Sequence, residues 1–528
     1  MRHFYLIGML ACLTLFVFEL AVASVVKVDS RSIVGLPAPP IYREVETAQT
    51  KELKGKIQRA KIFSAYDSLI KIYKTQGLYD KAAALEREQV LLYRAKKLND
   101  AAIIHQQNAQ TLETRISTYA DQQLSAKAIG KLYTGAPNEP FIGCYNGAFI
   151  DRDDSLGTTW TDANWQKHRS PAQFKKATGK QPGSAFTYLS YRRPFPKQWV
   201  EQLKSTGVIP HIAWEPKSLS AVQDDEFLKQ FALDLREADW PVFLRFASEM
   251  NGKWTPYHGN PTLYKQKFQL VYRTIHRYAP RAALIWCVNN PPLGNAHDYY
   301  PGDNFVDWVG VNFYSVPFAD NRRDRQVKDQ NPLALLDPIY NRYSAKKPIA
   351  ICEFAASHKS ILDPQIIDKF AIEKLNLVYS ALPLLYPRVK MINWFSMDTI
   401  KYPTPGKTRN NYDLTDHPRV LRAWQRVTDQ PHFLNSWQRL GDKLPPVAQP
   451  LAGKKVKIGD KIRIFARSYD PNSKVIAAID NKIVFRGQGS GAFEFVLKGS
   501  TGSKRVQVFV YDSKNRFQKQ SNTTFYAV

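Results

Sequence analysis

Two glutamates in this chain stand where hydrolytic chemistry would need them. In Phe243-Leu244-Arg245-Phe246-Ala247-Ser248-Glu249 an apolar run ends in a carboxylate, and a polar, aromatic loop reaching Trp254 follows. The same logic returns 104 residues later in Ile349-Ala350-Ile351-Cys352-Glu353. Desolvating a carboxylate at the end of a buried strand is costly, so structure alone explains neither residue well. Two such strand-end glutamates are what cleavage of a glycosidic bond requires, one as acid/base and one as nucleophile. The division assigned is Glu249 as acid/base, its pKa raised by burial, and Glu353 as nucleophile, kept ionised by hydrogen-bond donors. A period of two places Arg245, Ala247 and Glu249 on one strand face, where Arg245 can hold a nearby carboxylate charged.

Other residues fall at corresponding strand ends. Tyr314 closes the sixth apolar run and suits a donor to Glu353. Trp394, in the eighth, offers a flat face for a sugar ring. Trp214 and Glu215 end the third run, and Trp254 lies just beyond Glu249. The competing explanation for the tryptophans is packing, and for Tyr314 a cap on the barrel. His211 reads as a satisfied core histidine. Asp151, Asp153 and Asp154 read as a solvated acidic loop, with a cation or a sugar as the alternative ligand. No Cys/His spacing suggests zinc, and no metal or organic cofactor is expected. Cys144, Cys287 and Cys352 sit in apolar runs and are expected as buried free thiols.

The elements that must position these groups follow from hydrophobic pattern. Eight strand-like runs occur between residues 140 and 426: Phe141–Tyr145, Ser184–Tyr191, Ile209–Trp214, Val242–Ser248, Ala282–Val288, Val306–Tyr314, Pro348–Cys352 and Lys390–Phe395. Amphipathic stretches such as Phe195–Thr206, Asp224–Ala238, Pro261–Tyr278 and Pro364–Leu382 separate most of them, while Asn290–Phe305 is short and irregular. Near-continuous apolar strands alternating with helices predict a closed (β/α)₈ barrel, whose chemistry sits at the C-terminal strand ends. A doubly wound open sheet is the rival, and no glycine-rich loop after the first strand supports it.

The flanks differ in texture. Residues 1–23 join a short basic start to an apolar run and an Ala-Val-Ala cleavage signal, which predicts a signal peptide and a secreted or periplasmic protein. Residues 24–136 are a Pro-rich leader and then a region expected to be helical throughout. Leu69 to Ala82 resembles a tetratricopeptide helix-turn-helix with its turn at Gly77. The echo at Tyr93–Ala102 comes too early for a repeat array, so a small helical hairpin or bundle is predicted, either packed on the barrel or docking a protein partner. The barrel is assigned 137–430 and a linker 431–449. Residues 450–528 are predicted as an immunoglobulin-like β-sandwich carrying 15 Lys and Arg against five acids. That face suits an anionic glycan or a cell surface, or is simply the solvated face of a spacer. The whole chain has a formal charge of +27. No motif points to nucleic acid, and no stretch after the leader is long and apolar enough to cross a bilayer.

The ordered motifs between residues 140 and 400 carry a resemblance. They are Phe141-Ile142-Gly143-Cys144-Tyr145-Asn146-Gly147, Phe174 to Lys180, Pro194-Phe195-Pro196, Ile209 to Pro216, the Glu249 loop, Tyr300 to Val311, the Glu353 strand and Asn393-Trp394-Phe395. This series resembles glycoside hydrolase family 26. The resemblance implies a retaining mechanism and an endo-acting β-mannanase or related β-glycanase, with Glu249 and Glu353 in the roles above. Many members have His just before the acid/base; this chain has Ser248, which puts mannan specificity in doubt. Ala355-Ala356 also stands where glycine is often found. The alternatives are an exopolysaccharide-processing partner of a secretion system and a non-catalytic glycan-binding scaffold on the same barrel.

Overall fold

The structure, a computed structural model, describes residues 44–403, 407–439 and 441–528. The predicted signal peptide lies outside the described residues. Four helices come first: α1 (Ala48–Ala60), α2 (Phe63–Gln76), α3 (Tyr79–Ala95) and α4 (Asn99–Leu112). Gly77 takes the left-handed conformation that ends α2, and the buried Ala82 and Ala83 let α3 approach its neighbours. The expected helical hairpin is therefore part of a four-helix group.

The region up to residue 136 is not helical throughout. Arg115–Gln122 is a strand, β1, and its partners lie at the other end of the chain. It pairs antiparallel with β10 (Val447–Pro450) and β12 (Lys461–Arg467), with Ile116 opposite Ala466 and Tyr119 opposite Pro450. The sequence Ile116-Ser117-Thr118-Tyr119 has the β-branched and aromatic side chains that favour a pleated surface. Its alternation is hidden by the Ala, Gln and Asp that follow.

Between β1 and β10 the chain winds a closed parallel barrel. Its strands are β2 (Cys144–Phe149), β3 (Ser184–Ser190), β4 (Ile209–Glu215), β5 (Phe243–Phe246), β6 (Ala283–Asn289), β7 (Trp308–Ser315), β8 (Ile349–Ala356) and β9 (Val389–Phe395). Pairing of β9 with β2, Met391 opposite Tyr145, closes the cylinder. The helices are α5 (Pro171–Thr178), α6 (Lys197–Ser205), α7 (Glu226–Glu237), α8 (Pro261–Tyr278), α9 (Leu333–Tyr343), α10 (Asp368–Leu385) and α11 (Pro418–Val427). Between β6 and β7 only short 3₁₀ turns occur, as the irregular Asn290–Phe305 suggested. Local signals start the helices: Ser170 and Gln173 form a reciprocal cap on α5, and Asp225 caps α7.

Alternation divides the barrel's apolar residues into two layers. Tyr145, Ile209, Phe243, Ile285, Cys287, Trp308, Ala350, Cys352 and Met391 fill the interior. Gly310 belongs at this centre because a Cβ there would come within 2.7 Å of Cys352 Sγ. The three described cysteines are buried and free. Trp214, Phe246, Phe313, Phe354 and Trp394 face outward into the larger core under the helices.

Downstream, a β-sandwich pairs a sheet of β1, β10, β12 and β15 (Gly491–Val496) with a second sheet. The second contains β11 (Lys455–Val456), β13 (Lys474–Ile479), β14 (Lys482–Gln488), β16 (Gly502–Tyr511) and β17 (Phe517–Ala527). Among the described residues no helix is long and apolar enough to cross a membrane.

Candidate active site

Glu353 reaches the barrel mouth through an irregularity in β8. Cys352 points into the interior, so strict alternation would turn Glu353 outward. A register shift between Ile351 and Glu353 relative to β7 places Glu353 opposite Asn312, and the extra residue re-aims the carboxylate inward. Phe354 then faces the outer core. Glu353 Oε1 lies 2.6 Å from Arg245 Nη2 and accepts from Tyr188 Oη at 2.6 Å. Tyr314 Oη donates to Oε2. Arg245 is fully buried, its guanidinium stacked over the rings of Phe186 and Tyr188. Burial works against its charge, but the Glu353 carboxylate outweighs this and holds Arg245 well above its usual value. Burial and the Glu353 charge push the Tyr188 and Tyr314 hydroxyls up, so both stay protonated donors.

Glu249 arrives differently. β5 stops at Phe246, and Ala247 and Glu249 have φ of 46° and 59°, so the period of two does not run on. Ala247 joins the outer core instead of sharing the face of Arg245. Glu249 Oε1 accepts from Asn312 Nδ2 at 2.8 Å, and Oε2 from Trp254 Nε1 at 2.6 Å. Lys407 Nζ, from the loop after β9, is also 2.6 Å from Oε2. Burial raises the Glu249 pKa, but the Lys407 charge and the three donors outweigh it and leave it below the usual carboxylate value. This reverses the expected upward shift. Asn312 also accepts from Arg245 Nη1 at 3.3 Å. Two side chains, Arg245 and Asn312, thus link the two carboxylates.

Ser248 turns toward Glu215. Its Oγ donates to Glu215 Oε1 at 2.6 Å and its N–H to Oε2 at 3.2 Å, while Tyr257 Oη donates to Oε2 as well. Burial raises the Glu215 pKa against these donors. Trp254 is 38% exposed beside Glu249 and offers a surface at the mouth.

Neither Trp394, expected as a flat face for a sugar, nor Trp214, expected beside the site at a strand end, reaches the mouth. Trp394 is fully buried, with Nε1 donating to Tyr412 O at 2.9 Å and its ring edge-on to Phe354. Trp214 is fully buried and stacks on Phe231 of α7 at 4.0 Å. Each sits between inward-facing neighbours, Asn393 and Phe395 in one case and Ala213 and Glu215 in the other, so alternation turns both rings outward. His211 is a core histidine, but it is only half satisfied: Nδ1 accepts from Asn393, Nε2 is buried without a partner among the described residues, and burial holds its pKa well below the usual value.

Two of the three aspartates in the acidic loop, Asp151 and Asp153, are buried, and Asp154 is partly exposed. Asp153 is fully buried and accepts from Ser155, Ser396 and Thr415, while Asp151 accepts from Thr187 and pairs with His168. These carboxylates join the β2 loop to β3 and to the segment after β9. Burial, then the charges of Asp153, Asp416, Asp398 and Asp154, push nearby Asp413 up to about 9. Its proton is thus retained at neutral pH. A folded pKa above the unfolded one means stability is greatest below the ordinary Asp range and falls as pH rises toward 9. Asp413→Asn is expected to flatten that fall, so that the variant's advantage over wild type in paired thermal melts widens steadily from pH 5 to pH 9.

The residues missed by sequence reading are Tyr188, Tyr257, Asn312 and Lys407. Asn312 and Tyr314 lie two apart on β7, so the face assigned to Tyr314 already contained Asn312. Tyr188 lies two beyond Phe186 on β3 in the same way. Lys407 is in a loop, where no periodicity marks it.

The sequence model of the family described as Glycosyl hydrolase family 26 matches residues 217–348, which run from the turn after β4 to the start of β8. Within the barrel, it is this stretch that is similar to that family. Beta-1,3-xylanase TXYA of a Vibrio species is 36% identical over 88 residues, 15% of this chain and 18% of that protein. Endoglucanase H of Acetivibrio thermocellus is 22% identical over 287 residues, 50% of this chain and 29% of that protein. Mannan endo-1,4-beta-mannosidase of Bacillus subtilis is 25% identical over 138 residues, 23% of this chain and 38% of that protein. The chain therefore spans well under two thirds of each relative's length.

Proposed function

We propose that this chain is a retaining, endo-acting β-glycan hydrolase in which Glu353 is the nucleophile and Glu249 the acid/base. The observation that carries the reading is the unequal surroundings of two carboxylates at one barrel mouth. Glu353 is held in place by a buried guanidinium and two tyrosine hydroxyls. Glu249 sits on the rim beside the half-exposed Trp254, where a leaving group and then water can reach it. In the first step a Glu353 oxygen forms a bond to the anomeric carbon as the glycosidic bond breaks, and Glu249 gives its proton to the departing oxygen. In the second, Glu249 takes a proton from water, whose oxygen displaces Glu353 and regenerates both groups. Because each step inverts the anomeric carbon, the product retains the β configuration.

The polymer is a proposal of coarser grain. The relatives are named for β-1,3-xylan, for glucan and for mannan, so the family segment alone favours no single sugar. Ser248 bound to Glu215 is this chain's own arrangement beside the acid/base, and it is where we place the distinction from a mannanase. Export across the inner membrane, on the strength of residues 1–23, is likewise proposed. The test is reducing-end release by the mature protein from β-mannan, glucomannan, mixed-linkage β-glucan, β-1,3-xylan and acidic exopolysaccharides. NMR of the first-formed anomer accompanies it. A first-formed α product would overturn the nucleophile assignment. Binding to a polymer that is never cut, equal in wild type and in both glutamate variants, would favour the scaffold.

A further inference from the structure

Glu249 is occupied in a way that its proposed role cannot tolerate. A general acid must carry a proton and point it at the leaving oxygen. Here Oε2 already accepts from Trp254 Nε1 and meets the Lys407 ammonium at 2.6 Å. While the ammonium stays there the carboxylate remains an anion, so Lys407 has to leave before the first step.

The structure shows how it can leave without unfolding anything. The Lys407 backbone is held, with its carbonyl accepting from Asn321 Nδ2 at 3.0 Å and the Arg409 N–H donating to Asn321 Oδ1 at 2.8 Å. The side chain is different: it is 31% exposed and lies over the Trp254 ring at 4.0 Å. Its four-carbon stem can swing across that ring without moving the loop. What should draw it away is a second anion at the mouth, and the mouth is built for one. The flanking segments 319–325 and 407–409, with Lys253, hold Arg322, Arg323, Arg325, Lys407, Arg409 and Lys253 against Asp320 and Asp324. Asp320 and Asp324 are already paired with Arg325 and Arg322. Among the described residues, Arg323, Arg409 and Lys253 have no acidic partner.

Resting on the hydrolase reading above, we propose that the substrate is an acidic glycan and that Lys407 recognises a sugar carboxylate next to the scissile bond. The sugar carboxylate takes the ammonium from Glu249, so binding the right polymer is what frees the acid/base. A neutral polymer offers nothing in exchange and meets a Glu249 that is still ion-paired. The depressed Glu249 pKa agrees with this resting state. The charged or titratable groups around Glu249 are Lys407, Arg245, Glu215, Glu353, Tyr188, Tyr257 and Tyr314. Among these Lys407 is the one on the rim with a mobile stem.

The experiment uses pairs of β-1,4-glucan and β-1,4-mannan oligosaccharides that differ only at C6, as alcohol or as carboxylate. Binding is measured by calorimetry on the full mature chain bearing Glu353→Gln, so that it does not depend on turnover. The chain with Lys407 intact is expected to prefer the carboxylate partner of at least one pair by about tenfold or more, and less so in high salt. Adding Lys407→Met should abolish the preference, and Lys407→Arg should keep part of it. In the active chain, Lys407→Met should also move the acid/base limb of the kcat/KM profile to higher pH. Equal binding of both partners with Lys407 intact, or a preference that survives Lys407→Met, overturns the proposal. So does a neutral polymer cut by wild type as fast as its carboxylated twin. A Lys407-dependent preference with no hydrolysis of any polymer would sink the hydrolase reading and leave the recognition standing.

Discussion

Glu353→Gln is expected to lower turnover on any cleaved polymer by about 10⁴-fold or more, and Glu249→Gln by about 10²–10⁴-fold. The two losses should differ in kind as well as size. Without Glu353 there is no group to form the glycosyl-enzyme, so an activated leaving group cannot help. Without Glu249 the nucleophile remains, and a substrate whose leaving group needs no proton should still burst to the intermediate. Azide then separates the roles. With Glu249→Ala it should capture the intermediate and give a β-glycosyl azide. With Glu353→Ala it can only occupy the nucleophile's place and give an α-glycosyl azide. The reverse pattern would exchange the two assignments. Both variants should fold, because Arg245 still meets an amide oxygen in Glu353→Gln and Asn312 can donate to one in Glu249→Gln. A melt far below wild type would mean that the loss is structural, and the azide products would then decide the roles.

What the sequence made legible follows from which signals are local. Buried parallel strands are apolar on both faces, so all eight barrel runs were visible as such. The first was placed about three residues early, because Asn146 and Gly147 interrupt the apolar run within β2. The glutamates were visible because a carboxylate at the end of such a run is chemically out of place. Which way a strand-end side chain points was harder to read. Trp214 and Trp394 were read as mouth residues by their position along the strand, when alternation turned them under the helices. Glu353 faces inward for a reason the pattern did not contain, since the register shift after Ile351 is what turns it there. Lys407 and β1 were invisible for a common reason. Each gains its meaning from a partner far away in the chain, Glu249 for one and β10 and β12 for the other.

The second large effect concerns that distant pairing. Arg467, at the end of β12, is 5% exposed and has no acidic partner among the described residues. Its guanidinium donates to Thr111 O at 2.8 Å and also to Gln110 O and Glu113 O, where α4 ends and the chain turns into β1. Those carbonyls have no further helix turn to bond to, and the end of a helix carries partial negative charge. One buried cation therefore caps α4 and fastens the helices to the sandwich. Burial lowers the Arg467 pKa to about 10, so the group stays charged at neutral pH. Arg467→Met keeps much of the packing but leaves three acceptors without their donor. At about 1 kcal/mol or more for each, the expected cost is roughly 3 kcal/mol. Arg467→Lys restores the charge but not the fork, and should recover only part of this. Hydrogen exchange locates the effect: faster exchange in residues 99–122 and in β12, with β2 to β9 unchanged. If Arg467→Met left those segments as protected as wild type, apolar contact and the β1 ladder would be what joins them, and the cap would be incidental.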